Sequence, residues 1–462
     1  SASSILIKLL YNDKESGERM ILPEYIQWIL SKLEENLYKA YVVGGAVRDF
    51  LLGLQPSDYD IATSATPDEI ESVFQGERLL FVGKSFGTVI LIKDGIKTEI
   101  TTFRKEGKYD GRKPAEVIFS KELKDDLSRR DFTMNAIAYH PREGFIDYFG
   151  GKKDLEQRLL RMVGPAEIRL NEDFLRIIRG VRFSNRFELK LDSDFLFWAN
   201  KYADLIPKLS GERIAQEMEK ILLGSSPKQA ILLMDELGIL KYVFPSVELT
   251  KGITQEGPFH SMDVFNHTLA VLEKTPPNFV VRLSALYHDV GKVNTKFLDE
   301  HRNARFFGHE LESVKCFYKD IGRWNLSAQV MKQCEFLIQR HMTCANPYTK
   351  KHVKKLLSIG GEKGVRALFA LQRADMLSTN FPYLNRLKEG KLALQEIIKE
   401  KEAYSPKMMN INGNDLKTIG FVEGKTLGEC LNYLYQYILD YPKENTKECL
   451  LKMAEIWRKG GA

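Results

Sequence analysis

Long apolar runs are absent from this chain of 462 residues. No segment reaches the roughly eighteen consecutive apolar residues that a membrane-crossing helix needs, so no membrane partner is expected. The apolar stretch at residues 5–10 is too short and too poorly flanked for a signal peptide. Cysteine is scarce: Cys316, Cys334, Cys344, Cys430 and Cys449 are an odd set of five with no C-x-x-C pair. That usage predicts a reducing, cytoplasmic setting and excludes a cysteine zinc site. Low-complexity tracts and fixed-period repeats are missing. Neither charge sign dominates, since 68 Lys and Arg face 62 Asp and Glu for a net +6. Such a balance permits nucleic-acid binding without demanding it.

What is present falls into two textures. Residues 22–39 have apolar residues at helical spacing (Ile26, Ile29, Leu30, Leu33, Leu37), with Pro23 suited to a first turn. Short β-rich runs follow at Tyr41–Val43, Tyr59–Ala62, Gly87–Ile92, Thr98–Phe103 and Phe132–Tyr139, punctuated by glycine, proline and charge. From about residue 151 the pattern is helical almost to the end. The expected plan is an α/β head followed by a large all-α region.

The head carries the first chemical signal. Val42-Val43-Gly44-Gly45-Ala46-Val47-Arg48-Asp49 reads as a strand, a Gly-Gly turn and a helix start. Such a turn lets backbone amides approach a phosphate, and Arg48 could reach the same anion. Ser57-Asp58-Tyr59-Asp60-Ile61 follows. On a strand, Asp58 and Asp60 would share one face. Two carboxylates that close repel unless a cation lies between them, and Mg2+ suits such oxygen ligands beside substrate phosphates. Taken alone, the pair also reads as a polar turn with two solvated aspartates. Glu99, in Lys97-Thr98-Glu99-Ile100, reads equally as a third acid at that site or as a solvent-facing glutamate.

Together, G-G-A-V-R-D and L-Q-P-S-D-Y-D-I-A-T-S-A-T-P (residues 54–67) resemble the signature of class II tRNA nucleotidyltransferases. That family includes CCA-adding enzymes and bacterial poly(A) polymerases, and its head resembles DNA polymerase β. The resemblance runs through at least residue 187. It implies template-independent addition of C, C and A to the 3′ end of tRNA from CTP and ATP, with Mg2+ held by Asp58 and Asp60. A-adding or poly(A) activity of the same family is the alternative. By the same resemblance, Arg129-Arg130-Asp131-Phe132-Thr133 grips the triphosphate and ribose of the incoming nucleotide. Guanidinium suits phosphate, here Arg130, and Asp131 suits a ribose hydroxyl. The charged stretch 102–114 is similar to the loop of A-adding members, which CC-only enzymes lack. Asp147 and Gly150–Asp154 resemble a hinge between head and neck.

Glu172-Asp173-Phe174-Leu175-Arg176-Ile177-Ile178-Arg179-Gly180-Val181-Arg182 reads as one helix, with Asp173, Arg176 and Arg179 at i, i+3 and i+6. Asp173 could accept from the amino group that cytosine and adenine share, and Arg176 could donate to the neighbouring ring acceptor. An ordinary surface ion pair is the other reading. The resemblance favours base selection, with Arg179 and Arg182 approaching the triphosphate.

A third pattern lies in the helical region. Histidine is rare, with eight in the chain. His267, His288-Asp289, His309, His341 and Asp375 are spaced in a way that resembles HD-type metal phosphohydrolases. The resemblance implies His267, His288, Asp289 and Asp375 as ligands of a divalent metal of unspecified identity, with His309 and His341 completing a two-metal set. A metal-dependent hydrolase acting on RNA or nucleotide phosphate ends is therefore the competing function. Lys350, Lys351, Lys354 and Lys355 form a basic cluster that could follow tRNA phosphates or be a solvated helix face. The expected domains are a nucleotidyltransferase head at 20–150, a helical neck at 151–250, an HD-type domain at 251–380 and a tRNA-binding tail at 381–462. The oligomeric state is not specified by any of these features.

Overall fold

The computed structural model describes residues 19–83, 86–106, 109–110, 113–114, 117–256, 262–380 and 384–460. The 5–10 stretch and parts of 102–114 lie outside them. The chain divides into two compact units. One holds residues up to Leu209 together with Glu236–Ile239, and the other holds Ser210–Asp235 and the chain from Leu240 onward. The division at residue 210 falls inside the expected neck.

The first unit is built on a seven-stranded sheet. Its strands in chain order are β1 (Ala40–Val43), β2 (Asp60–Thr63), β3 (Arg78–Gly83), β4 (Thr88–Lys93), β5 (Ile96–Thr102), β6 (Ile137–His140) and β7 (Gly144–Asp147). They lie in the order β7-β6-β1-β2-β5-β4-β3, with β2 and β5 parallel and the other pairs antiparallel. Every residue of β1 and β6 is buried, as expected where both faces of a central strand are covered. Tyr41, Val43, Ala62, Phe103, Leu127 and Ala138 pack into one apolar cluster beside this sheet.

Helix α1 (Glu24–Glu35) buries Ile26, Ile29, Leu30 and Leu33, but is shorter than the 22–39 expected. Pro23 caps it from outside, and Leu37 turns to positive φ and is almost fully exposed. Helices α2 (Gly45–Leu51), α3 (Pro67–Val73) and α4 (Leu123–Ser128) connect the strands. Helices α5 (Gly151–Glu156), α6 (Ala166–Glu172), α7 (Leu175–Phe187) and α8 (Ser193–Lys201) follow the sheet.

Two elements differ from the sequence pattern for visible reasons. Of the expected strand Phe132–Tyr139, Thr133–Asn135 forms a 3₁₀ turn instead. There the Thr133 hydroxyl donates to Asp154 at 2.6 Å, which draws the backbone out of the sheet. The expected continuous helix through Glu172–Arg182 is broken: α6 stops at Glu172 and Asp173 is extended (φ −153°). Its carboxylate accepts from the Leu175 amide at 3.1 Å, a side-chain acceptor competing with the helical ladder. The 102–114 stretch is not plain loop either, since Arg104–Glu106 pairs with Val117–Phe119 and Tyr109–Asp110 with Lys113–Pro114.

Among its described residues, the second unit is helical apart from one short hairpin, β8 (Phe297–Leu298) with β9 (Ala304–Arg305). Its main helices are α9 (Gly211–Leu222), α10 (Val264–Lys274), α11 (Phe279–Tyr287), α12 (His309–Ile321), α13 (Ala328–Arg340), α14 (Lys350–Met376), α15 (Leu384–Lys399), α16 (Lys425–Asp440) and α17 (Lys447–Arg458). Helix α14 is kinked at Gly361, whose φ is +63°. The lysine cluster near its start mostly faces acids. Lys354 is buried against Glu402 (2.7 Å) and the Leu439 carbonyl (3.1 Å), and Lys350 and Lys351 pair with Glu396 and Asp440. Three of the four lysines are thus engaged within the protein. Among the described residues no helix is long and apolar enough to cross a membrane, and the five cysteines are unpaired.

Close backbone contact gives a test of this packing. A Cβ on Gly151 would lie 2.2 Å from the Thr133 carbonyl oxygen, and neither backbone can yield. Gly151→Ala is expected to cost about 1–3 kcal/mol, the cost of overpacking, read as a lower urea midpoint. Gly428→Ala, in α16 with nothing within 4 Å of the added carbon, should instead hold or raise it.

Candidate functional site

In the first unit, β1 runs into Gly44, which stands at φ +72° and starts α2. A Cβ there would lie 2.8 Å from Arg130 Nη1, so the glycine is what lets the Arg130 guanidinium rest against the turn. Gly45 is the first residue of α2. Asp60 opens β2, and Asp58 lies two residues before it. Both are exposed while Tyr59 between them is buried, so the two carboxylates share a face. Glu99 is exposed on β5, the parallel neighbour of β2, where Ile61 stands opposite Ile100.

Electrostatics ties these groups together. The Asp60 carboxyl is pushed up to about 6. Protein packed around the carboxyl is the main cause even though one side of it opens to solvent, and the negative charges of Glu99 and Asp58 add to it. The Arg130 charge opposes the rise. Three acids and one arginine therefore sense each other, a donor set of hard oxygens that fits Mg2+.

The Arg-Arg-Asp motif is held by a continuous hydrogen-bonded network. Arg179 on α7 donates from Nε (2.9 Å) and Nη2 (2.5 Å) to Asp131 Oδ2. Asn135 Nδ2 (3.0 Å) and the Phe132 amide (2.7 Å) donate to Asp131 Oδ1. Arg48 Nη1 donates to Asn135 Oδ1 at 2.7 Å. Burial opposes ionisation of Asp131, but Arg179 and these donors outweigh it and hold the carboxyl below its ordinary range. Arg130 Nη2 donates to Asp126 at 3.1 Å.

Some expected site residues are placed differently from the sequence reading. Arg48 does not reach outward as an anion donor. It is buried, its Nε and Nη2 on Asp49 and its guanidinium 4.5 Å from the Phe187 ring, because α7 packs over it. Arg176 is also buried, with Nη1 donating to the Arg169 carbonyl (2.6 Å) and to Glu172 (2.7 Å). Asp173 is half-buried at the break between α6 and α7, not on a shared helix face with Arg176. Arg182 is half-buried, its guanidinium 4.0 Å from the Phe183 ring. Sequence reasoning missed Asn135, Asp126 and Arg169. Arg169 holds the Arg129 and Arg130 carbonyls at 2.6 and 3.0 Å. Asp126 and Asn135 stand four residues from Arg130 and Asp131, a local signal that could have found them, whereas Arg169 lies about forty residues away and no spacing signals it.

In the second unit the histidines converge. Two groups of ligand atoms fall within 4.8 Å of one another: His267, His288 and Asp375, and Asp289, His309 and His341. Asp289 joins the groups. Its Oδ2 lies 3.4 Å from His267 Nε2 and 3.3 Å from His288 Nε2. Its Oδ1 lies 3.3 Å from His309 Nε2 and 3.6 Å from His341 Nε2. Asp375 Oδ1 lies 3.1 Å from His267 Nε2. Three rings are oriented through Nδ1 by carbonyls three residues earlier: His288 by Ala285 (2.7 Å), His309 by Phe306 (2.8 Å) and His341 by Ile338 (2.7 Å). That directs each Nε2 inward, as metal-binding imidazoles require. Gly291 lets α12 approach, since a Cβ there would lie 2.1 Å from the His309 carbonyl. Lys292 Nζ donates to Asp289 Oδ2 (2.6 Å) and to Gln255 (2.7 Å).

The Asp60 environment sets a pH test. Its folded-state value of about 6 exceeds the ordinary value of 3.8, so ionisation costs stability as pH rises between these values. Asp60→Asn should therefore raise the thermal midpoint of the chelator-treated chain above about pH 6, and the gain should vanish below about pH 4. A gain constant across that range would contradict the assignment.

Comparison with known proteins bears on both units. Residues 40–161 match the family model of the poly A polymerase head domain. Residues 189–250 match that of the probable RNA and SrmB-binding site of polymerase A. A CCA-adding enzyme of Staphylococcus epidermidis is 43% identical over 225 residues, 48% of this chain and 56% of the relative. One from Geobacillus thermodenitrificans is 45% identical over 218 residues, 46% of this chain and 53% of the relative. The chain thus spans about half the length of the curated relatives it matches. The crystal structure of the Bacillus stearothermophilus CCA-adding enzyme in complex with CTP superposes with a TM-score of 0.72 at 26% identity, covering 95% of this chain and 99% of that one. The expected polymerase β-like head followed by a helical region is borne out. With its glycine turn, paired aspartates and Arg-Arg-Asp motif in place, the region 40–161 is a poly A polymerase head domain by its family match, and the chain is similar to CCA-adding enzymes over about half its length.

Proposed function

We propose that this protein adds C, C and A to the 3′ end of tRNA, taking the nucleotides from CTP and ATP. The observation that carries the reading is the shared face of Asp58 and Asp60, within the electrostatic reach of Arg130. In this reading the 3′-hydroxyl oxygen of the RNA attacks the α-phosphorus of the incoming nucleotide, and pyrophosphate leaves. Asp58 and Asp60, with Glu99 beside them, would hold Mg2+, which when bound lowers the pKa of the attacking hydroxyl and neutralises the leaving phosphates. Arg130 and Arg182 bind the triphosphate, and Gly44 and Gly45 let the turn backbone come close to it. Asp131 accepts from the ribose hydroxyl, oriented by Arg179 and Asn135. Arg48 acts through Asn135 as a positioning residue.

Base choice falls to Asp173 and Arg176. Asp173 accepts from the exocyclic amino group that cytosine and adenine share, and Arg176, braced by Glu172, would turn from the Arg169 carbonyl to donate to the adjoining ring acceptor. Uracil and guanine present the opposite pattern there. An A-adding or poly(A) enzyme of the same family would use the same head.

Three outcomes test this reading. With tRNA lacking its terminal triplet, CTP alone should add C residues, and ATP should then add one A. Long A tracts would favour poly(A) synthesis, and rejection of CTP an A-adding enzyme. Replacing both Asp58 and Asp60 by alanine should lower incorporation by on the order of a thousand-fold, the loss of several kcal/mol of charge stabilisation. Asp173→Ala should reduce CTP-over-UTP discrimination by roughly ten-fold, since rejection then lacks the unpaired-group cost.

The Asp289 geometry favours a second activity in the helical unit. We infer that it hydrolyses phosphate esters of RNA or nucleotides. His267, His288, Asp289 and Asp375 would bind one divalent ion, and Asp289, His309 and His341 a second. Converging imidazoles, which give up their protons when metal binds, and ionised carboxylates fit such ions. When bound, they supply an activated water and a Lewis acid. Equilibrium dialysis should find two ions per chain at this centre. His341→Ala should lose one of them and leave tRNA extension unchanged.

A further inference from the structure

Two arginines with different tasks in the proposed reaction, Arg130 and Arg176, are joined by a third. Arg169 stands in the last turn of α6 and is buried. It lies about forty residues beyond the Arg-Arg-Asp motif, and backbone pairing brings it back. The Val163 amide donates to the Asp131 carbonyl, and the Thr133 amide to the Arg161 carbonyl, each at 3.0 Å. Helix α6 starts just after this pairing, at Ala166, and so runs beside the motif.

The Arg169 side chain spans the motif and the corner between α6 and α7. Its Nη2 donates to the Arg129 carbonyl (2.6 Å) and the Arg130 carbonyl (3.0 Å), just past the end of α4. Its Nη1 donates to Glu172 Oε2, and the same oxygen accepts from Arg176 Nη1 at 2.7 Å. Arg176 Nη1 also donates to the carbonyl of Arg169 itself at 2.6 Å. Glu172 Oε2 is thus one acceptor between two guanidinium groups, and Arg169 connects it to the backbone that carries Arg130. Charge-assisted bonds from a rigid, planar fork are strong and fix their partners in direction as well as distance. The Arg130 side chain itself has separate supports: Asp126 at 3.1 Å and the glycine turn at Gly44.

We propose that Arg169 is a positioning residue for nucleotide choice, setting the spacing between Arg176, which reads the base, and Arg130, which grips the triphosphate. The inference rests on the nucleotide-transfer reading above and adds a determinant of its specificity. A nucleotide anchored by its phosphates at Arg130 presents its base to Arg176 at a fixed reach. A ring acceptor at that reach takes the place of the Arg169 carbonyl as the partner of Arg176. A base with a ring N–H there sets donor against donor and is rejected. Without Arg169 the Arg176 guanidinium is free to shift, and the distinction blurs while the phosphate grip remains.

The test follows extension of tRNA lacking its terminal triplet by the full chain as wild type, Arg169→Ala, Arg169→Lys, Arg176→Ala and the double alanine variant. Three quantities are read: kcat and KM for CTP, the CTP-over-UTP ratio of kcat/KM, and inhibition by inorganic tripolyphosphate, which has phosphates but no base. Arg169→Ala should lower the ratio by roughly ten-fold, the effect of one misplaced buried hydrogen bond. The loss should fall on kcat, with tripolyphosphate inhibition unchanged. Arg169→Lys, which keeps the charge but not the fork, should fall between, and it carries the comparison where circular dichroism shows Arg169→Ala unfolded. In the Arg176→Ala background, Arg169→Ala should lower the ratio no further, because both act through one guanidinium. An unchanged ratio in the single Arg169 variants would overturn the proposal. So would equal losses with and without Arg176, or tripolyphosphate inhibition that weakens in step with CTP use. Failure of the CCA reading is seen separately, as a wild type that rejects CTP and adds A alone; the ATP-over-GTP ratio should then show the same losses.

Discussion

The head depends on one carboxylate. Asp131 accepts from Arg179, Asn135 and the Phe132 amide at once, and Arg48 completes the circuit through Asn135. The four side chains come from α2, the segment after α4, the 3₁₀ turn and α7. A buried carboxylate is costly unless donors surround it, and once surrounded it resists rearrangement. This network therefore registers the glycine turn, the Arg-Arg-Asp motif and α7 against each other. The groups proposed to bind the nucleotide are set in place by contacts within the protein, which is the condition for electrostatic stabilisation without reorganisation.

The helical unit applies the same logic with histidine. Carbonyls at the i−3 position orient three rings, and Asp289 turns one oxygen to each ligand group. Burial raises the Asp289 carboxyl, but the His288 and Lys292 charges outweigh it and hold it well below the ordinary range. Ligand orientation thus comes from helix ends and tight glycine contacts, not from side-chain flexibility.

Much of this was legible in the sequence because the decisive residues are close neighbours along the chain. Gly44–Asp49, Asp58–Asp60 and Arg129–Asp131 each lie within one turn or strand, where local geometry follows from spacing. The six histidine and aspartate positions were readable as a set because the chain has only eight histidines and four of them fall in this pattern. What escaped was set by partners distant in sequence. Arg48 is turned inward by Asn135, eighty-seven residues away, and by the rings of α7. The lysines at the start of α14 are claimed by Glu402 and Asp440. Edge strands β3 and β7 carried too weak an alternation to stand out, and the break at Asp173 reflects a side chain capping its own backbone.

That break has a further consequence for selectivity. The Asp173 oxygen that a base would seek already holds the Leu175 amide at 3.1 Å. Turning to a cytosine or adenine amino group exchanges one hydrogen bond for another, so the correct base gains little net binding from it. In the base choice proposed for Asp173, a base that presents a carbonyl there sets its oxygen against a carboxylate that keeps its Leu175 bond, and that acceptor-to-acceptor contact carries the penalty. Discrimination at this position would thereby be separated from affinity: the residue would penalise wrong nucleotides while adding little to the hold on right ones.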